Sequence, residues 1–146
     1  MEEAEIIDRH VHSPGHWYGR DPVDAFLLEN GLVAWQLAAG NGGAYGNWVQ
    51  LSNGDEIADP LYDPHLIIVT QASASALYYI QLGTGGGGAQ VVETTTAAFP
   101  GAALRQAPQL VQTDRIARTE LLWARCACTT NGATISFVLG LHTYPS

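Results

Sequence analysis

A cluster of histidines near the N-terminus is the first group of side chains that could do chemistry. His10, His12 and His16 fall within the stretch His10-Val-His12-Ser-Pro-Gly-His16. A His-x-His pair on an extended strand places two imidazoles on one side, as several metal enzymes require. A cupin-type metalloenzyme would place such a pair on a core strand, followed by a carboxylate and a distant third histidine. Here the segment is polar and broken by proline, and His65 and His142 lack a motif context. We therefore expect exposed histidines and no bound metal.

Four acidic residues within nine positions are a second candidate: Asp55, Glu56, Asp59 and Asp63. They do not follow the EF-hand pattern, and the two prolines among and after them indicate a stiff acidic loop. Paired carboxylates for glycosidase chemistry cannot be assigned, because their separation in space does not follow from the sequence. The chain has no Gly-x-Ser-x-Gly turn. We predict no catalytic residue and a protein that is not an enzyme.

Aromatic side chains are the better candidates for contacts with a ligand or a partner. Trp35 and Trp123 fall inside predicted strands, where packing is the usual role of tryptophan. The aromatic residues near predicted loops could instead stack on sugar rings or line a subunit interface. These are Trp17, Tyr18, Tyr45 and Trp48.

A glycine run, Gly85-Gly86-Gly87-Gly88, separates two β-rich segments, Leu77–Leu82 and Gln90–Thr96. A phosphate-binding loop is excluded because no Lys-Ser or Lys-Thr follows and no helical period begins there. We therefore predict no cofactor and a hairpin hinge in which at least one glycine has a positive φ. If Gly86 and Gly87 both need that conformation, replacing them with Val would destabilise the fold.

The charge balance opposes nucleic-acid binding. The 146 residues carry a net charge of −8, with six arginines and no lysine. A nucleic-acid-binding protein would carry basic clusters instead. Residues 1–63 have net charge −9 and residues 64–146 have net charge +1. The acidic part either docks on a basic partner surface or is a solvated face and arm. We expect no membrane-spanning segment, since no apolar run is long enough.

Cys126 and Cys128 are the only cysteines. Residues two apart on a strand lie on the same face roughly 6.5–7 Å apart, with nearly parallel Cα–Cβ vectors, which does not suit a disulfide. Buried free thiols and a reducing compartment, such as cytoplasm, are therefore predicted. A zinc site is not indicated, because no nearby Cys/His pair completes it.

The elements that must position these residues are mostly strands. Residues 1–24 predict a polar N-terminal arm, and Asp24–Gly31 is the best helix candidate. From Leu32 onward, short β-rich segments alternate with Gly, Pro and Asn breakers, and Asn131-Gly132 is the strongest hairpin signal. We predict strands at Val33–Ala38, Tyr45–Leu51, Leu66–Gln71, Leu77–Leu82, Gln90–Thr96, Thr119–Thr129 and Thr134–Thr143, with a weaker candidate at Leu104–Val111. The fold class is all-β: residues 25–146 form a jelly-roll-like antiparallel β-sandwich of about eight strands, with an N-terminal arm at 1–24.

Two segments carry a resemblance to a known family. Tyr78-Tyr-Ile-Gln-Leu-Gly-Thr-Gly85, Gly88-Ala89 and Val91-Val-Glu93, followed by a Thr/Ala/Phe strand, resemble a segment of tailed-phage virion proteins of jelly-roll type. The closing Thr134–Tyr144 is similar to the last strand of such a domain. Together the similar segments cover roughly residues 65–96 and 119–144. The acidic N-terminal part does not match.

This resemblance implies a structural virion protein. The expected role is a capsid decoration (cement) protein that trimerises and stabilises a bacteriophage head through contacts with the major capsid protein. It would be made in the host cytoplasm, would lie on the capsid surface, and would bind no nucleic acid and no membrane. The arm would order mainly on neighbouring subunits. The alternative is a carbohydrate-binding β-sandwich module of a phage fibre or spike.

Overall fold

The computed structural model describes residues 34–52, 57–100 and 109–145 in full, and the backbone of residues 23–27. These residues form strands, turns and irregular connections, with no helix among them. The ten strands are β1 (Val23–Leu27), β2 (Trp35–Ala38), β3 (Val49–Gln50), β4 (Leu61–Ala72), β5 (Tyr78–Thr84), β6 (Val91–Ala98), β7 (Gln109–Leu110), β8 (Ile116–Ala117), β9 (Leu122–Cys128) and β10 (Thr134–Tyr144).

The strands form two antiparallel sheets. In the six-stranded sheet, β10 and β4 are central. One side of β10 pairs with β4. Along its other side β1 and β2 lie end to end, pairing with residues 139–143 and 134–137 respectively. In the same way, β7 and β8 both pair with the side of β4 that faces away from β10. The four-stranded sheet has the order β3-β9-β5-β6.

This topology is a jelly roll. If β1 and β2 are counted as one strand, and β7 and β8 as another, each sheet has four strands. Most connections then cross from one sheet to the other, as they do in double-sheet jelly rolls. The predicted all-β, jelly-roll-like sandwich of about eight strands is confirmed.

The core lies between the two sheets and follows the two-residue period of the strands. On β10, Ile135, Phe137, Leu139 and Leu141 are buried and face the other sheet, as their alternation predicts. The facing layer includes Ile80 and Leu82 of β5 together with Leu122, Ala124, Cys126 and Cys128 of β9. Both cysteines are buried and free, so the predicted buried thiols are confirmed.

The predicted acidic loop is wrong at its C-terminal end, because β4 begins at Leu61 and includes Asp63 and Pro64. Two register shifts in the β4–β10 pairing leave His65 and Thr70 as extra residues on β4. Proline is tolerated at bulges because a ladder hydrogen bond is already missing there. Pro64 therefore fits inside a central strand.

Other sequence predictions need correction. The helix predicted at Asp24–Gly31 is wrong over its first four residues, since Val23–Leu27 is a strand paired with β10. Tertiary pairing overrides a weak local helix preference there. β8 was not predicted, and β3 is only two residues long. Most of the predicted arm (residues 1–22), Asp55, Glu56 and residues 104–108 lie outside the described residues.

The two turn predictions have different outcomes. The glycine run does connect the antiparallel β5 and β6, and Gly85 and Gly88 have positive φ. The positive φ values thus belong to the outer glycines, not to Gly86 and Gly87. Asn131-Gly132 forms a tight turn with φ +66° at Gly132, but no hairpin follows. β9 and β10 belong to different sheets, since each finds its partners elsewhere.

Candidate functional site

The outer face of the four-stranded sheet carries the main candidate site, which we name the aromatic platform. It consists of Tyr45, Trp48, Tyr79, Gln81 and Arg125. Tyr79 and Gln81 alternate with the buried Tyr78, Ile80 and Leu82 on β5 and therefore face outward. Gln81 pairs directly with Arg125 on β9.

The connection between β2 and β3 brings the two loop aromatics onto this face. The backbone N–H of Gly46 donates to the carbonyl of Cys126 at 2.9 Å, so the connection runs beside β9. Tyr45 and Trp48 flank that glycine and lie against Arg125. The two residues that the sequence singled out are thus brought together on one surface.

Arg125 is the centre of the platform. Its guanidinium carbon lies 4.3 Å from the centroid of the Trp48 ring and 4.7 Å from that of Tyr45. Its Nε donates to Oε1 of Gln81 at 2.8 Å. Cation–π contacts and this hydrogen bond fix the side chain, while no carboxylate of the described residues forms a salt bridge with it.

Missing side-chain volume at Gly83 makes room for Trp48. A Cβ placed on Gly83 would lie 2.8 Å from Cη2 of Trp48 and 2.9 Å from the carbonyl oxygen of Val91. The indole therefore reaches across β9 and rests on β5. Beside it, Trp123 is half-buried and donates from Nε1 to the carbonyl of Gly85 at 2.8 Å, which ties the platform to the glycine hinge.

The polar groups around the platform are partly exposed. Nε2 of Gln81 donates to Oγ1 of Thr95 on β6 at 3.2 Å. Partial burial raises the pKa of the Tyr45 phenol, and the positive charge of Arg125 opposes that rise. Tyr79 is 43% exposed and offers a ring to solvent.

A second polar cluster lies on the outer face of the six-stranded sheet. His142 Nδ1 is 3.4 Å from Asp63 Oδ1, and the hydroxyl of Tyr144 donates to Asp63 Oδ2 at 2.5 Å. The imidazoles of His65 and His142 stack with their centroids 3.8 Å apart. Asp63, His142 and Tyr144 are all buried. The guanidinium carbon of Arg115 lies 3.9 Å from the centroid of the Tyr144 ring. This arrangement holds the ends of β4 and β10 together.

Arg115 also lines a cleft at the same end of the sandwich. The cleft has a volume of about 350 Å³, and its acidic residues are Glu93, Asp114 and Glu120. Glu93 accepts a hydrogen bond from the hydroxyl of Thr84 at 2.7 Å. Among the described residues, no group of three or more His, Cys, Asp or Glu side chains could hold a metal ion.

The third surface is the side of the sandwich formed by β6 and β7, which are edge strands of the two sheets. We name it the β6 side. Within the described residues, β6 pairs only with β5. Large apolar side chains are exposed along this side: Val91 at 63%, Phe99 at 61%, Leu110 at 54% and Val92 at 40%. This surface is not apparent in the sequence, because valine, leucine and phenylalanine in strands are usually buried.

Several candidate residues lie outside the part of the chain that the structure describes. These are His10, His12, His16, Trp17 and Tyr18. Trp35, in contrast, is buried in the core with its ring centroid 5.6 Å from that of Phe137, as its place in a predicted strand indicated.

Arg125 and the Asp63–His142 pair were missed in the sequence. Arg125 alternates with the buried Ala124 and Cys126, and this was the one available signal that it faces outward. Asp63 and His142 are 79 positions apart, and only the pairing of β4 with β10 brings them together.

In the described parts of the chain, no helix is long and apolar enough to cross a membrane. No protein-family model, curated protein or solved structure matches this chain.

Proposed function

We propose that this protein is a structural virion component, a capsid decoration protein that assembles with copies of itself and binds capsid subunits. The observation that carries the proposal is the β6 side. Jelly rolls occur in viral capsid, lectin and cupin domains, so the fold fits this role without specifying it.

The β6 strand has the properties of an interface edge. It spans eight residues, and Glu93 is its only charged side chain. Proteins normally protect such edges with lysine, proline or a short strand, because an open edge templates pairing with other chains. Here the strand has one bulge, at Glu93, and beyond it Thr94–Ala98 carries no charge.

The exposed apolar side chains support the proposal that this edge binds another protein chain. Val91 is the first residue of the strand and Phe99 follows its last residue. Leu110 is exposed on β7, which contacts β6. Large apolar surfaces on a soluble chain mark sites of association. A closed trimer would cover three such sides at once and leave no edge free for further growth.

Light scattering on the full chain at micromolar concentration tests the assembly. We expect a trimer for the wild type and a smaller species for Val91→Lys, which places a charge on the β6 side. Thr129→Lys is the matched control, because Thr129 is exposed on the β9–β10 connection. A monomeric wild type, or equal masses for both variants, would contradict assembly through this side.

The capsid role is tested separately by adding the protein to undecorated capsids of the virus that encodes it. Bound protein should raise the temperature at which the capsid disrupts, and Val91→Lys should bind more weakly. A gene that lies apart from all virion genes would contradict this role and leave self-assembly standing.

A further inference from the structure

We propose that the aromatic platform binds an acidic sugar, with Arg125 holding the sugar carboxylate. This site lies on the outer face of the four-stranded sheet and is centred on Arg125 of β9, two strand positions from β6. Its binding of a sugar does not depend on assembly through the β6 side.

The guanidinium group of Arg125 is arranged to bind an anion. One of its donors, Nε, is used by Gln81, and the Nη groups make no hydrogen bond to the described residues. Arginine recognises carboxylates through two parallel N–H donors, and stacking on aromatic rings fixes the plane of the fork in advance. The contacts with Tyr45 and Trp48 supply that stacking. Arg125 is thus oriented before a ligand arrives.

The groups around Arg125 suit a sugar ring. Tyr79 exposes an aromatic face beside Gln81, and the amide of Gln81 and the hydroxyl of Thr95 can exchange hydrogen bonds with sugar hydroxyls. An aromatic surface with a few polar groups is typical of ligand sites.

Backbone geometry favours a sugar over a peptide. β5 pairs along its length with both β9 and β6. β9 pairs along its length with β5, and its other side is occupied by β3 and by the N–H of Gly46. An extended peptide gains most of its affinity by pairing with an open strand edge, which this face does not offer. The platform presents side chains only.

The net charge of the protein further restricts the class of sugar that the site can bind. A net charge of −8 opposes a polyanionic polysaccharide, whereas Arg125 alone can neutralise one carboxylate. The expected ligand is therefore a single acidic residue, such as a uronic or sialic acid, at the end or branch of an otherwise neutral glycan.

Two-dimensional NMR titration of the full chain tests the site with matched probes. The probes are the methyl glycosides of glucuronic, galacturonic and N-acetylneuraminic acid, each beside its methyl ester, which keeps the ring and removes the charge. We expect at least one acid to shift the Arg125 Nε–H and Trp48 indole signals, and its ester to bind about tenfold more weakly or not at all.

Variants locate the contact. Arg125→Lys keeps the charge but loses the fork and the stacking, so affinity should fall about tenfold or more. Arg118→Gln is the control, because Arg118 is exposed in the β8–β9 connection and donates to the carbonyl of Ala58. Melting temperatures of both variants show whether the fold is intact.

Equal binding of acid and ester, unchanged affinity in Arg125→Lys, or no binding by any of the three acids would overturn the proposal. Tighter binding of an acetylated and amidated aspartyl peptide than of every sugar would also overturn it, and would assign the face to a protein partner. Failure here leaves the trimer test unaffected, because Val91 and Arg125 lie on different surfaces.

Discussion

Two alanine substitutions in the glycine hinge separate backbone strain from every other effect of replacing glycine. Gly88 has φ +82°, and a Cβ added there meets no atom within 4 Å. Gly86 is equally open, but its φ lies outside the left-handed region. The two positions therefore differ in backbone conformation and not in available space.

The magnitude follows from that difference. Forcing alanine into a left-handed conformation costs about 1–2 kcal/mol. Replacing glycine also reduces the freedom of the unfolded chain, which stabilises by about 0.4–1 kcal/mol at a compatible site. This second effect is common to both variants and cancels in the comparison. Gly88→Ala should therefore be about 1–2 kcal/mol less stable than Gly86→Ala.

Urea unfolding of both variants, followed by tryptophan fluorescence, measures the difference directly. Thermal melting should place Gly88→Ala about 3–6 °C below Gly86→Ala for a chain of this size. Gly85→Ala should be worse still, because its Cβ would also lie 2.9 Å from the carbonyl oxygen of Ala89. If Gly86→Ala and Gly88→Ala unfold within about 0.5 kcal/mol of each other, the hinge does not need its left-handed residue.

Other substitutions test the polar cluster and the buried thiol. Tyr144→Phe removes the hydroxyl that donates to buried Asp63 and should lower the free energy of unfolding by about 1.5–3 kcal/mol, measured in urea. Tyr79→Phe, at an exposed ring, should change it little, and equal losses would show that the Asp63 contact contributes nothing special. Burial raises the pKa of the Cys126 thiol from 9.0 to about 12, and nearby Cys128 adds to the rise, so native protein should resist iodoacetamide at pH 8. Between about pH 9 and pH 12 the Cys126 thiol is deprotonated in the unfolded chain but still protonated in the native chain. The free energy of unfolding should therefore fall as pH rises through this range. Cys126→Ala should show a smaller loss between pH 8 and pH 10 than the wild type, and identical losses would contradict the burial argument.

The sequence predicted the fold class because local signals were consistent along most strands. β5, β9 and β10 carry clear β-rich patterns, and their predicted positions agree with the structure to within a few residues. β4 was recognised only in part, because its two bulges interrupt the two-residue period and Pro64 looked like a strand breaker.

Pairing across the chain was harder to predict. Asn131-Gly132 has the composition of a hairpin turn, but turn chemistry fixes only the local reversal and not the sheet that the next strand joins. For the same reason, only some residues of the aromatic platform could be predicted from the sequence. Tyr45 and Trp48 were singled out by type and loop position, whereas Arg125 becomes part of the site only through the placement of the β2–β3 connection beside β9.

The central place of β10 sets an order of events during synthesis. All strands of the four-stranded sheet lie between residues 49 and 128, so that sheet can form while β10 is still being made. Its partner sheet cannot close until β10 joins β4 to β1 and β2, which pair with it across more than 90 positions of sequence. Contacts this distant slow folding. Until residue 144 emerges from the ribosome, the apolar face of the first sheet has no cover, and we expect chaperone dependence to be greatest in that interval.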